Sequence, residues 1–210
     1  MAMHYRSTAD EPLEQRTLID REFFEACKRS LEPSVIGLDI STNAIRYGTA
    51  TGLLASGWTE NLELSSPSSE LAEALRDVNI VLCTGGGSYV GPNTFARIAA
   101  ANKNPSQLWM VAFVLRTYTF EGTATVLSHY GLITEKVPGV AFKQRRFKTV
   151  SEQSWAVSAV LDRGLDPLGL EEDGWLYADC YITRPQLQAS KQPAAELIKP
   201  RIEQGSNAED

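Results

Sequence analysis

Seven consecutive residues, Val35-Ile-Gly-Leu-Asp-Ile-Ser41, carry the clearest chemistry in the chain. A short apolar run that ends on one carboxylate and then opens a helix is how a buried parallel strand presents an acid to a ligand. In open α/β sheets such an acid sits outside the carboxyl end of its strand, where it accepts hydrogen bonds from ribose hydroxyls. Asp39 is placed for that role, with Ile40 following it into the turn. The usual companion is a glycine-rich turn on an earlier strand, yet Gly37 is the first glycine in the chain. One half of a nucleotide-type site is legible and the other is not. Asp39 ahead of Ser-Thr-Asn also fits a helix N-cap, which is its structural alternative.

A second glycine cluster, Gly85-Gly-Gly87, follows the apolar run Asn79–Thr84. Together with Gly91 and Arg116 it loosely imitates a dinucleotide unit with an arginine for a 2′-phosphate, although the glycine spacing is a variant. A tight turn that lets a ligand or a neighbouring backbone approach accounts for it equally. Cys27, Cys83 and Cys180 lie far apart, and His4 and His129 lack close companions, so neither a zinc site nor a histidine triad is expected. Tyr47, Tyr89 and Trp109 read as packing residues, whereas Trp58 and Trp175 lie near turns that could border a pocket.

These residues need elements to position them. A length of 210 residues with 43% hydrophobic content suits a domain with a full core. The net charge of −6 argues against a general nucleic-acid binder, and the one dense basic run, Lys143-Gln-Arg-Arg-Phe-Lys148, reads as a solvated strand face. No apolar stretch approaches the roughly 20 residues of a membrane span. An odd number of thiols without a signal peptide points to a reducing cytoplasm.

Residues 1–34 read as a polar, mostly helical segment, with Ile19, Phe23 and Cys27 at helical spacing and Leu18 and Phe24 widening the stripe. Strands and helices then alternate over 35–184. Strands are expected at 35–40, weakly around 61–64, at 79–84 and at 108–115. Helices are expected at 42–55, from Ser66-Pro67 to about 76, from Pro92 to about 101, and at about 121–130 with Gly131 closing the last. Residues 140–147 and 175–183 alternate as an antiparallel pair around a helix at about 151–163. Residues 185–210 read as a loosely ordered tail. Such alternation predicts an α/β sheet, mostly parallel, with a C-terminal antiparallel pair and helices on both faces.

Three stretches resemble class I S-adenosylmethionine-dependent methyltransferases of the small-molecule type. They are Val35-Ile-Gly-Leu-Asp-Ile-Ser-Thr-Asn-Ala-Ile-Arg-Tyr-Gly48, Ile80-Val-Leu-Cys-Thr-Gly-Gly-Gly87 and Leu108-Trp-Met-Val-Ala-Phe-Val-Leu115. They look like the second, fourth and fifth strands of that Rossmann-like fold, and the late antiparallel pair looks like its closing hairpin. The resemblance implies S-adenosylmethionine as cofactor, with Asp39 at the ribose and Ile40 beside it among the cofactor-binding residues, Leu62 and Glu63 near the adenine, and Thr84 and Gly85 facing the methionine portion and a small-molecule substrate. The chain departs from the family in lacking the first strand and its glycine loop. That strand belongs between the second and fourth, so the sheet is expected to be incomplete. Either the second strand pairs directly with the fourth, or the chain is a truncated or cofactor-impaired form. The alternative is a non-catalytic methyltransferase-like module acting through a protein partner or as a homodimer. Neither nucleic acid nor a membrane is expected as a partner.

Overall fold

The computed structural model describes residues 13–27, 33–86 and 89–198, which form two compact units divided between Pro67 and Ser68. The chain is α/β, with parallel pairing in both units and antiparallel pairing added in the second.

The first unit contains α1 (Leu13–Cys27), β1 (Ile36–Leu38), α2 (Thr42–Ala50) and β2 (Ser56–Trp58). In α1, Ile19 and Phe23 are half-buried, while Leu18 and Cys27 face solvent, so the apolar stripe is narrower than the sequence suggested. Buried Asp20 accepts a hydrogen bond from the Tyr47 hydroxyl at 2.7 Å, which ties α1 to α2. Helix α2 stops earlier than expected. The Thr51 hydroxyl donates back to the Tyr47 carbonyl at 2.8 Å, and Gly52 takes φ 76°, a backbone setting that glycine adopts without steric cost.

The returning chain then pairs at once. Ala55 N donates to Val35 O at 2.8 Å, and β2 lies parallel to β1 with Leu38 opposite Trp58. Close packing of α2 on this pair depends on glycine, because a side chain at Gly37 or Gly48 would run into Leu54. The strand expected at 61–64 is therefore displaced to Ser56–Trp58. Residues 61–65 form a turn closed by Leu64 N and Ser65 N on Asn61 O.

The second unit holds α3 (Ser69–Leu75), β3 (Ile80–Thr84), α4 (Pro92–Ala101), β4 (Trp109–Leu115), α5 (Glu121–Ser128), β5 (Leu132–Lys136), β6 (Phe142–Arg146), α6 (Val150–Asp162), β7 (Trp175–Pro185) and α7 (Gln186–Lys191). Strand β3 runs parallel to β4, and β7 is antiparallel to β4, β5 and β6, giving the order β3-β4-β7-β5 with β6 also on β7. The alternation of β4 is clean: Met110, Ala112 and Val114 are buried on one face. On the other face Val111 and Phe113 pack with Val137, Cys180 and Ile182. Strand β3 differs, because Ile80 and Leu82 are 64% and 66% exposed at the edge of this sheet.

Two expectations give way here. Strand β5 was not foreseen; its LITEK sequence alternates weakly and becomes a strand by pairing with the long β7. Part of the expected loose tail is folded. The buried Arg184 guanidinium holds Glu135 at 2.7 Å and also the Gln192 carbonyl, and Ala194 N donates to Glu135 Oε1 at 3.0 Å. Those bonds seat Leu197 and Ile198 on the core around Cys180 and Ile182. Residues 199–210 lie outside the described residues. So does Gly87. Among the described residues β1 pairs with β2 in the first unit and β3 with β4 in the second.

Candidate functional site

Strand β1 delivers Asp39 just past its carboxyl end, as the apolar run predicts. Asp39 N donates to Trp58 O at 3.1 Å, and Asp39 Oδ1 accepts from Ser41 N at 2.7 Å. The helix cap is Ser41, whose hydroxyl accepts from Ala44 N at 3.3 Å. Capping is thus performed by the neighbour. The Asp39 side chain is exposed, and its second oxygen makes no hydrogen bond among the described residues. Ile40 beside it is 61% exposed.

Because Leu38 pairs with Trp58, the residues level with Asp39 on the adjacent strand are Thr59 and then Glu60. Leu62 is core at 2% exposure, and Glu63 is held in the turn by its N–H on Asn61 Oδ1 at 3.0 Å. The sequence missed Thr59 and Glu60 because Ser56-Gly-Trp58 is too short to show alternation, whereas Asn61-Leu-Glu-Leu64 shows it falsely. Parallel register, not local pattern, identifies them.

In the second unit, exposed Thr84 ends β3 and Gly85 follows at φ 72°. Gly86 is buried, and a side chain there would meet Cys83 Sγ and Val90 at 2.9 Å. The turn closes with Val90 N on Gly86 O at 2.7 Å, and α4 then starts at Pro92 with Gly91 as its cap. Thr84 and Gly85 occupy the carboxyl end of a parallel strand, the side at which α/β sheets receive ligands.

The end of β4 is charged but already committed. Arg116 is buried, with NH1 on Glu171 Oε2 and NH2 on Asp166 O, both at 2.7 Å. Arg163 donates to the Arg116 carbonyl, and Lys136 pairs with buried Asp179 at 2.7 Å. Burial pushes the Glu171 carboxyl above its ordinary range against the pull of Arg116. Burial also raises the thiols of Cys83 and Cys180, the latter to about 11, which disfavours the reactive thiolate at both. Arg116 is therefore unavailable for a 2′-phosphate, and the dinucleotide reading loses its basic residue.

Among the described residues no group of three or more His, Cys, Asp or Glu is placed to hold a metal ion. No helix among them is long and apolar enough to cross a membrane. What remains chemically is an exposed carboxylate at a strand end, suited to accepting hydrogen bonds from a diol, and a glycine turn at the end of β3. No family model, no curated protein and no solved structure matches this chain.

Proposed function

We propose that this chain is a class I S-adenosylmethionine-dependent methyltransferase domain acting on a small molecule in the cytoplasm, with Asp39 accepting hydrogen bonds from the cofactor ribose. The observation that carries the reading is the uncommitted oxygen of Asp39 at the carboxyl end of a parallel strand. A carboxylate whose turn needs only one oxygen fits a ribose diol. The fit covers the ribose end, since no glycine precedes β1 in the sequence.

Strand order supports the same reading. The resemblance matches β3 and β4 to the fourth and fifth strands and the late antiparallel pair to the closing hairpin, and β3 runs parallel to β4 while β6 and β7 pair antiparallel. In this assignment Ile40, Thr59 and Glu60 stand beside Asp39 at the strand ends of the first unit, where they would flank the nucleoside. Bound S-adenosylmethionine supplies an electrophilic methyl group. The chain needs to orient the acceptor and exclude water, and transfer to a good nucleophile requires no dedicated base. Titration calorimetry with S-adenosylmethionine tests this: saturable heat, competed by S-adenosylhomocysteine and lost in Asp39→Ala, is expected. Absence of heat and of competition in the wild type would reject the reading.

A second reading, a non-catalytic module acting through a protein partner, draws on β3, which pairs only with β4 among the described residues and exposes Ile80 and Leu82. An uncharged apolar edge strand invites pairing with another chain. Light scattering that returns a stable monomer goes against it.

A further inference from the structure

The ribbon formed by β6 and β7 extends beyond the carboxyl end of β4. Leu115, the last residue of β4, pairs with Ala178, and Arg116 N donates to Tyr177 O at 3.0 Å. Leu176 and Trp175 therefore lie past that end, on the side where α/β sheets take ligands. There Lys143 pairs with Tyr177 and Arg146 with Trp175 across an irregularity in register. The irregularity matters, because it lets two residues three apart reach the same ring. Lys143 Nζ stands 4.3 Å from the centroid of the Trp175 indole, and the Arg146 guanidinium carbon 4.8 Å.

Two positive charges thus sit no more than about 9 Å apart, close to the screening length at physiological salt. Neither side chain has a carboxylate partner among the described residues. Arg145 between them does, held by Glu152 at 2.6 Å, so acids are at hand and have been spent elsewhere. Cations on an edge strand also deter strand pairing, but that duty does not require them to converge on one indole. Convergence of unpaired cations in a chain of net charge −6 is an arrangement that an oxyanion completes.

We propose that Lys143, Arg146 and Trp175 form a binding site for the carboxylate or phosphate of a small acidic ligand. Building on the methyltransferase reading, that ligand is the methyl acceptor, held by its anionic group beyond the end of β4. The arginine supplies a planar donor fork, the lysine a point charge, and contact with the indole holds both cations at one place on the ribbon.

The test uses the full chain without cofactor, so that it does not depend on S-adenosylmethionine binding. The Trp175 indole N–H signal, assigned by its loss in Trp175→Phe, is followed by NMR while pyrophosphate or citrate is added at constant ionic strength. A saturable shift is expected with at least one of the two. Affinity is expected to fall about 10-fold in Lys143→Gln and in Arg146→Gln, and to survive in Lys143→Arg. Preference between the probes tells phosphate from carboxylate. No saturable shift with either, or an unchanged shift in the double glutamine variant, overturns the site. Tighter binding of a single-stranded oligonucleotide than of pyrophosphate overturns the small-ligand assignment. Anion binding in a protein that gives no heat with S-adenosylmethionine leaves this site standing and rejects only the methyltransferase reading.

Discussion

Asp39 and Glu171 are both carboxylates, and their surroundings assign them opposite work. Asp39, in the first unit, is exposed and gives one oxygen to a backbone N–H two residues on. Glu171, in the second, is 1% exposed and answers the buried guanidinium of Arg116. An ion pair removed from water is costly to make and more costly to break, because the surviving partner keeps its desolvation penalty without its counter-charge. An exposed, half-used carboxylate has no such debt. The lesson is that charge near a strand end marks a ligand site only where burial has not already claimed it.

The contrast can be broken most sharply at Arg116. Arg116→Met leaves Glu171 buried without its cation and removes the bond to Asp166 O, so urea unfolding should report a loss of about 3–5 kcal/mol. A loss below about 1 kcal/mol, the range of exposed pairs, would show that the pair is solvated after all. Asp39→Asn should do the reverse. Its unfolding free energy should stay within about 0.5 kcal/mol of wild type, as for surface substitutions generally. Its affinity for S-adenosylmethionine should fall about 10-fold, the scale of a charged hydrogen bond. Equal losses of stability and affinity would make Asp39 structural.

Two glutamates sharpen the comparison through pH. Burial raises the Glu171 carboxyl, so the folded chain holds that proton more tightly than the unfolded chain does. Its contribution is full below the unfolded value of 4.5 and is lost as pH climbs through the raised folded value. Glu171→Gln should therefore flatten the stability curve on the side above 4.5. Glu152, half-buried and clamped by Arg145 and by Lys148 N, is held down to about 2. Its contribution is present above 4.5 and is lost as pH falls through about 2, so Glu152→Gln should differ least from wild type at the acid end. Urea midpoints measured across pH check both, and the Glu152 effect should be the smaller of the two.

Much of the fold follows local signals. Asn79–Thr84, Pro92–Ala101 and the apolar run ending at Leu115 appear within a residue of where proline, glycine and continuous hydrophobicity place them. The failures are non-local. Strand β2 exists because Gly52 turns the chain early and Ala55 finds Val35, and β5 exists because β7 offers it a partner. The folded part of the tail depends on Arg184 and Glu135, which are 49 residues apart.

The candidate sites divide along the same line. Asp39 was legible as an acid at a strand end, since seven contiguous residues encode both the strand and the acid. That Ser41 would take the cap, leaving one Asp39 oxygen uncommitted, was not. Nor could the sequence show that Arg116 would be buried against Glu171, or that Lys143 and Arg146 would meet at Trp175, about 30 residues along the chain. Covalent neighbours determine which groups a short segment carries and roughly where it turns. Strand register and burial decide which of those groups remain exposed and what they face, because both arise only when distant segments exclude water together.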